Sequence, residues 1–236
     1  MSTRVRWLGH AALLVESDGR NVLIDPFLTG NPKAAARADE VPADLILISH
    51  GHGDHVGDAV AIAKRTGATV ATNYEISLWL QQPLQGLAGS KVQGLQHGGG
   101  FLFDGSIRVK LTLAFHGSML PDGSNGGNPC GFLLSLPDRT RIYDAADTAL
   151  FGDMTLIGEQ GLDLAILPIG DYYTMGPDDA VRAVAMLQPR FVLPIHYNTF
   201  PPIVQDADAW AARIKNETSA QPVILHPGDW FEIPTK

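Results

Sequence analysis

Asp44-Leu45-Ile46-Leu47-Ile48-Ser49-His50-Gly51-His52-Gly53-Asp54-His55 joins an unbroken apolar run to a cluster of imidazoles. The run has the character of a strand buried on both faces, as in a sheet covered on both sides. A second run, Asp163-Leu164-Ala165-Ile166-Leu167-Pro168-Ile169-Gly170, matches it closely. Each leads into a helix candidate, 58–65 in the first case and Pro177–Leu187 in the second, and then a further strand, 69–72 or Phe191–Ile195. Pro177 suits a first helical position, Asp178 and Asp179 suit the N-terminal dipole, and Pro189 follows the end.

The segments upstream repeat as well. Residues 4–15 read as a strand, followed by a turn at Ser17-Asp18-Gly19 and the strand Asn21-Val22-Leu23-Ile24-Asp25. Cys130 to Leu136, a turn at Pro137-Asp138, and Thr140 to Asp144 repeat that pattern. The plan is strand, strand, buried strand, helix, strand, given twice. Two such units packed sheet on sheet, with helices outside, predict an α/β sandwich of four layers formed as one domain over 1–236. Further helices are expected at 74–82, with Asn73 as cap, and at 206–215. The glycine-rich stretch 121–131 reads as a mobile loop.

Composition sets the outer limits. The chain has 236 residues, 45% hydrophobic and 18% charged, with a net charge of −8. Such an acidic protein is not expected to track along nucleic acid. The single cysteine, Cys130, cannot form an internal disulfide and is expected as a buried apolar side chain. No export signal or membrane-spanning run is apparent, so a cytoplasmic location is expected.

The chemistry sits in His50-Gly51-His52-Gly53-Asp54-His55. Residues i and i+2 of extended chain project to the same side, so His50 and His52 can reach one metal ion while Asp54 and His55 turn to a second. The intervening glycines let the backbone turn tightly. Imidazole nitrogens suit borderline transition metals. His116, Asp147 and His196 each follow a predicted strand, where open α/β sheets collect their ligands, and complete the candidate set. His97 and His226 sit in turn settings and match no ligand pattern.

These residues resemble the metallo-β-lactamase superfamily. Within it, the chain is similar to bacterial and archaeal metal-dependent hydrolases related to ascorbate-6-phosphate lactonases. Beyond the six-residue motif, the resemblance is carried by Trp7-Leu8-Gly9-His10, Leu23-Ile24-Asp25-Pro26-Phe27, Ala114-Phe115-His116-Gly117-Ser118, Tyr173-Thr174-Met175-Gly176-Pro177 and Pro194-Ile195-His196-Tyr197-Asn198-Thr199-Phe200. It implies a four-layer αβ/βα sandwich. It also implies two divalent cations, zinc foremost, with manganese, iron or nickel compatible with the same donors.

By that resemblance His50, His52 and His116 hold the first metal, Asp54, His55 and His196 the second, and Asp147 bridges them. Where such relatives carry His-x-Gly-Asp-Thr, this chain has Asp144-Ala145-Ala146-Asp147-Thr148, which places a second carboxylate nearby; Asp144 is a candidate counterpart of Asp25 in the repeat. Asp171 stands where relatives carry a smaller or neutral residue. Asp25 is a candidate partner for a ligating imidazole. His10 is expected to contact substrate as a catalytic residue beside Asp54, and Tyr197 and Asn198 to line the substrate pocket.

The implied activity is metal-dependent hydrolysis of a small, anionic ester, lactone or phosphoester by hydroxide bridging two cations. No nucleophile elbow is present to suggest a serine mechanism. A phosphodiesterase acting on nucleotide or phospholipid-like substrates, oxygen-reducing iron chemistry of the kind that usually accompanies a flavin module, and a non-catalytic ligand-binding role are the alternatives. A homo-oligomer is expected by analogy with other soluble enzymes.

Overall fold

In the computed structural model, which describes residues 2–235, the chain forms two seven-stranded mixed sheets. The first is built from β1 (Arg4–Gly9), β2 (Ala12–Ser17), β3 (Arg20–Ile24), β4 (Leu45–Ile48), β5 (Thr69–Asn73) and β6 (Val92–Leu95). The second takes β7 (Gly100–Phe103), β8 (Ile107–Leu113), β9 (Cys130–Ser135), β10 (Arg141–Asp144), β11 (Leu164–Pro168), β12 (Phe191–Ile195) and β13 (Gln221–Pro222). The last strand, β14 (Trp230–Glu232), returns to pair with β1 and closes the first sheet's edge.

Strand order shows the internal repeat directly. β1, β2 and β3 pair antiparallel, then β3 to β6 run parallel. β8, β9 and β10 pair antiparallel, then β10 to β13 run parallel. The expected plan is present in both halves. Register also settles the proposed pairing of Asp144 with Asp25. Ile24 lies opposite Leu47 on β4, and Asp144 lies opposite Ile166 on β11. Asp25 N donates to Leu47 O and Ala145 N to Ile166 O. Ala145 is therefore the counterpart of Asp25, and Asp144 stands one residue earlier.

The helices are α1 (Gly53–Val56), α2 (Ala59–Thr66), α3 (Tyr74–Leu80), α4 (Met154–Gly158), α5 (Pro177–Leu187) and α6 (Ala207–Glu217). Asn73 Oδ1 accepts from Ile76 N and Asp206 Oδ1 from Ala209 N, satisfying amides that the first turns leave open. β4 shows why the middle strands are apolar throughout. Leu45 and Leu47 join the core between the sheets, whereas Ile46 and Ile48 pack with Ile62 and Ala63 under α2.

Three expectations are revised. Residues 4–15 form two strands, because the chain reverses at Gly9 (φ 102°) and His10 (φ 58°). A Cβ at Gly9 would also stand 2.3 Å from Lys33 O. The stretch 121–131 is tied to α3: Asn73 Nδ2 donates to Gly126 O and Asn128 O, and Trp79 Nε1 to Asp122 Oδ2. The edge strands β6, β7, β13 and β14 were not anticipated; their two to four residues are mostly half-buried and carry little pattern. Among the described residues, no helix is long and apolar enough to cross a membrane.

Candidate metal centre

Strand ends from both sheets converge at one edge. His50 lies two residues beyond β4, His196 one beyond β12, Asp147 three beyond β10 and His116 three beyond β8. His10 occupies the β1–β2 turn and Asp25 follows β3. Several of these positions need left-handed backbone: φ is 58° at His10, 43° at Asp25, 51° at Ala146 and 56° at His196. Non-glycine residues rarely adopt such values, and they concentrate at ligand clamps. Here they turn each side chain back across the sheet edge.

The motif splits as its spacing predicts. His52 is extended (φ −63°, ψ 147°), and its Nδ1 lies 3.0 Å from His50 Nε2. His50, His52 and His116 form one group whose ligand atoms lie within 4.8 Å of one another. The chain then enters α1, which carries Asp54 and His55 toward His196 and His10 in a second group. The glycines serve a different purpose from the one expected. Neither Gly51 nor Gly53 has a positive φ; a Cβ on Gly51 would meet Ser118 O at 2.9 Å. Its space is taken by the loop that brings in His116.

Asp147 stands between the two groups. Its Oδ2 lies 3.5 Å from His116 Nε2, 3.4 Å from His55 Nε2 and 3.0 Å from His196 Nε2. Burial alone would raise its pKa, but His196 and His55 outweigh burial and hold the carboxyl well below the usual range. His55 behaves in the mirror sense. Burial depresses it, and the carboxylates of Asp147 and Asp25 carry it well above the ordinary histidine value. His50 and His116 are pushed down, chiefly by burial.

Supporting contacts fix the rings. Asp25 Oδ2 is 2.8 Å from His55 Nδ1, and Asp25 also accepts from Ser49 N and Ser49 Oγ. Ser49 Oγ lies 2.9 Å from His50 Nδ1. One buried cluster of Asp25 and Ser49 therefore orients a histidine of each group. His10 Nε2 lies 3.2 Å from Asp54 Oδ2, and its Nδ1 lies 2.9 Å from Thr199 Oγ1. Burial lowers the His10 pKa to about 4, so the ring is neutral near pH 7. A neutral ring that donates from Nε2 to Asp54 accepts at Nδ1 from the Thr199 hydroxyl. Asp54 is held well below its usual pKa; the bond from His10 and the charge of His55 outweigh burial.

The donor set fits a pair of cations. His55 Nε2 and Asp147 Oδ1 are buried with no hydrogen-bond partner, a state that costs free energy unless something else satisfies them. Five imidazoles and two carboxylates within one cluster are the donors that borderline divalent metals take.

A hollow of about 350 Å3 opens over this cluster, lined by His52, Asp54, His116, Asp147, Tyr173, His196, Phe200 and Pro202. Tyr197 and Asn198 are not part of it. Tyr197 turns away and stacks on Trp7 with ring centroids 5.3 Å apart, and both residues line a separate hollow. Asn198 braces its own loop, exchanging hydrogen bonds with Gln205. The left-handed backbone at His196 and Asn198 explains the reversal, since neighbours of a residue with positive φ no longer alternate as in a strand. Thr199, Tyr173, Phe200 and Pro202 belong to the site although the sequence reading gave them no role. His97 and His226 stay outside the cluster, His97 bonding Pro129 O. Cys130 is buried, with Sγ against Ser49 O. Nothing in the structure explains Asp171 in place of a smaller residue.

Residues 4–196 match the family model described as "Beta-lactamase superfamily domain". With two mixed sheets, flanking helices and this strand-end cluster, the chain belongs to the β-lactamase superfamily. Within it, the chain groups with the UPF0173 metal-dependent hydrolases. It is 48% identical over 235 residues to one from Pelotomaculum thermopropionicum, covering 98% of this chain and 100% of that one. It is 50% identical over 229 residues to one from Thermus thermophilus, covering 97% and 98%. Among solved structures it is similar to Igni18, a novel metallo hydrolase from the archaeon Ignicoccus hospitalis, with TM-score 0.90, 33% identity and 100% of both chains covered.

Proposed function

We propose that this protein is a metal-dependent hydrolase that cleaves a small ester, lactone or phosphoester at a dinuclear centre. The observation that carries this reading is the position of Asp147, whose Oδ2 lies within 3.5 Å of His116 from one ligand group and of His55 and His196 from the other. His50, His52 and His116 would hold one cation; Asp54, His55 and His196 the other; Asp147 would be shared. Divalent cations there, zinc first among the candidates, supply a water acidic enough to ionise near pH 7 and a Lewis acid for the scissile group's oxygen.

The chain's own residues do the rest. Asp25 and Ser49 lock the rings of His55 and His50, so donors need little reorganisation when a cation enters. His10 keeps Asp54 ionised and aimed, without competing for a proton near neutrality. Tyr173, Phe200 and Pro202 line the hollow beside the ligand atoms and would contact a bound substrate. The test is elemental analysis of protein purified without chelator, with assays on an aryl ester, a lactone and a phosphodiester. Two metals per chain and cleavage abolished in Asp147→Ala are expected; metal-free protein, or cleavage undiminished in that variant, would overturn the reading.

A further inference from the structure

The floor of the metal hollow is polar, but its walls are not. Tyr173, Phe200 and Pro202 line it, and among the described residues no lysine or arginine does. An anionic substrate could therefore find positive charge only at the metals themselves, where the scissile group must sit. The rest of the substrate faces the rings of Tyr173 and Phe200 and the Pro202 ring, which carry no charge and, apart from the Tyr173 hydroxyl, no polar group.

The wall is also built rigidly. Tyr173 sits on a loop closed by Asp171 N donating to Met175 O, with φ of 61° at Asp171 and 38° at Tyr172. Met175 is buried and its N donates to Thr148 O, beside the bridging Asp147. Thr148 Oγ1 accepts from Phe115 N, next to His116. One buried threonine thus joins the Tyr173 loop to two ligand loops. Tyr173 is 54% exposed and Tyr172 74%, their rings 4.7 Å apart, so strained backbone holds two large aromatic side chains toward solvent. The Phe200 ring, which also lines the hollow, packs edge-on against His10 at 5.5 Å. Strained loops displaying exposed apolar rings at a pocket mouth are expected where they grip something.

We propose that the Tyr173 and Phe200 walls select substrates whose reacting carbon carries an uncharged apolar chain, in preference to an anionic one. This rests on the hydrolase reading and replaces the expectation of a compact anionic substrate. A pocket preference of this kind is worth about tenfold in kcat/KM.

Methyl hexanoate and monomethyl adipate share a leaving group and differ only in whether the chain ends in methyl or carboxylate. Metal-loaded protein, followed by pH-stat titration, is expected to prefer the hexanoate by about tenfold. Tyr173→Ala is expected to bring the ratio close to one, Tyr173→Phe to preserve it, and Tyr173→Arg to shift it toward the adipate ester. Calorimetry of hexanoate and adipate binding to the same protein provides a readout without turnover. Cleavage with no preference, or a preference unchanged in Tyr173→Ala, overturns the pocket inference and leaves the hydrolase reading standing. Selective hexanoate binding without cleavage of any ester, lactone or phosphodiester supports the pocket inference and overturns the hydrolase reading.

Discussion

Asp25 Oδ2 lies 2.8 Å from His55 Nδ1, and neither side chain is more than 1% exposed. The pair leaves His55 Nε2 free to face Asp147. Supporting carboxylates of this kind typically account for 10- to 100-fold in metal affinity. Asp25→Asn is expected to weaken metal binding at the His55 group by about that factor, read by competition with a chromophoric chelator. Because Asp25 also accepts from Ser49, the His50 group should weaken in parallel; unchanged affinity at both positions would remove Asp25 from this role.

His10 gives a prediction in pH. In the unfolded chain it takes a proton near pH 6.5, but in the fold only near pH 4, mainly because it is buried. Between those values the unfolded state binds more protons, so stability falls as pH drops from 6.5 toward 4. His50 and His116 are depressed in the same direction and add to the slope. For metal-free protein, His10→Gln is expected to reduce that slope in thermal melts, and an identical slope would contradict it. Thr199→Val, which removes the partner of His10 Nδ1, is expected to lower the hydrolytic rate while retaining the metals.

Gly170 is not a ligand, yet its loss should disable the site. A Cβ there would lie 2.2 Å from His196 O and 3.2 Å from the Ile203 side chain. The backbone of His196 must move to admit it, and overpacking of this type costs about 1–3 kcal/mol. Gly170→Ala is expected to lower the melting temperature and to reduce bound metal below two per chain. A variant with full metal content and unchanged stability would show that the loop yields more easily than its packing indicates.

The fold was largely legible because periodicity, caps and the internal repeat agreed. Leu45 to Ile48 read as doubly buried and is, and Pro177–Leu187 begins and ends where its proline and acidic residues place it. The ligand positions were legible for a related reason, since strand ends are marked by apolar runs that stop. What sequence spacing could not show was the sign of φ. Left-handed residues at His10, His196 and Asn198 reverse the side-chain alternation, sending Tyr197 into the Trp7 stack and bringing Thr199 to His10. Tyr173 carries no periodicity or spacing signal of its own. Its place over the ligand cluster depends on Thr148, 25 residues away, through the Met175 N to Thr148 O bond, which carries no local signature.

Asp144 supplies the last prediction. It is 1% exposed, and burial first, then the nearby Asp25, raises its pKa to about 7. An acid with a raised folded pKa is at full stability below its unfolded value of 3.8 and loses stability as pH climbs through about 7. Metal-free protein should therefore lose on the order of 1–3 kcal/mol between weakly acidic and weakly alkaline pH from this group. Asp144→Asn retains the oxygen that accepts from Ala146 N and removes the ionisation. Its stability advantage over the native chain should grow from pH 5 to pH 8 in melts with chelator present. Addition of zinc should shrink that advantage, because cations beside Asp147 favour an ionised Asp144. A difference independent of pH would mean that Asp144 does not ionise in the fold across this range.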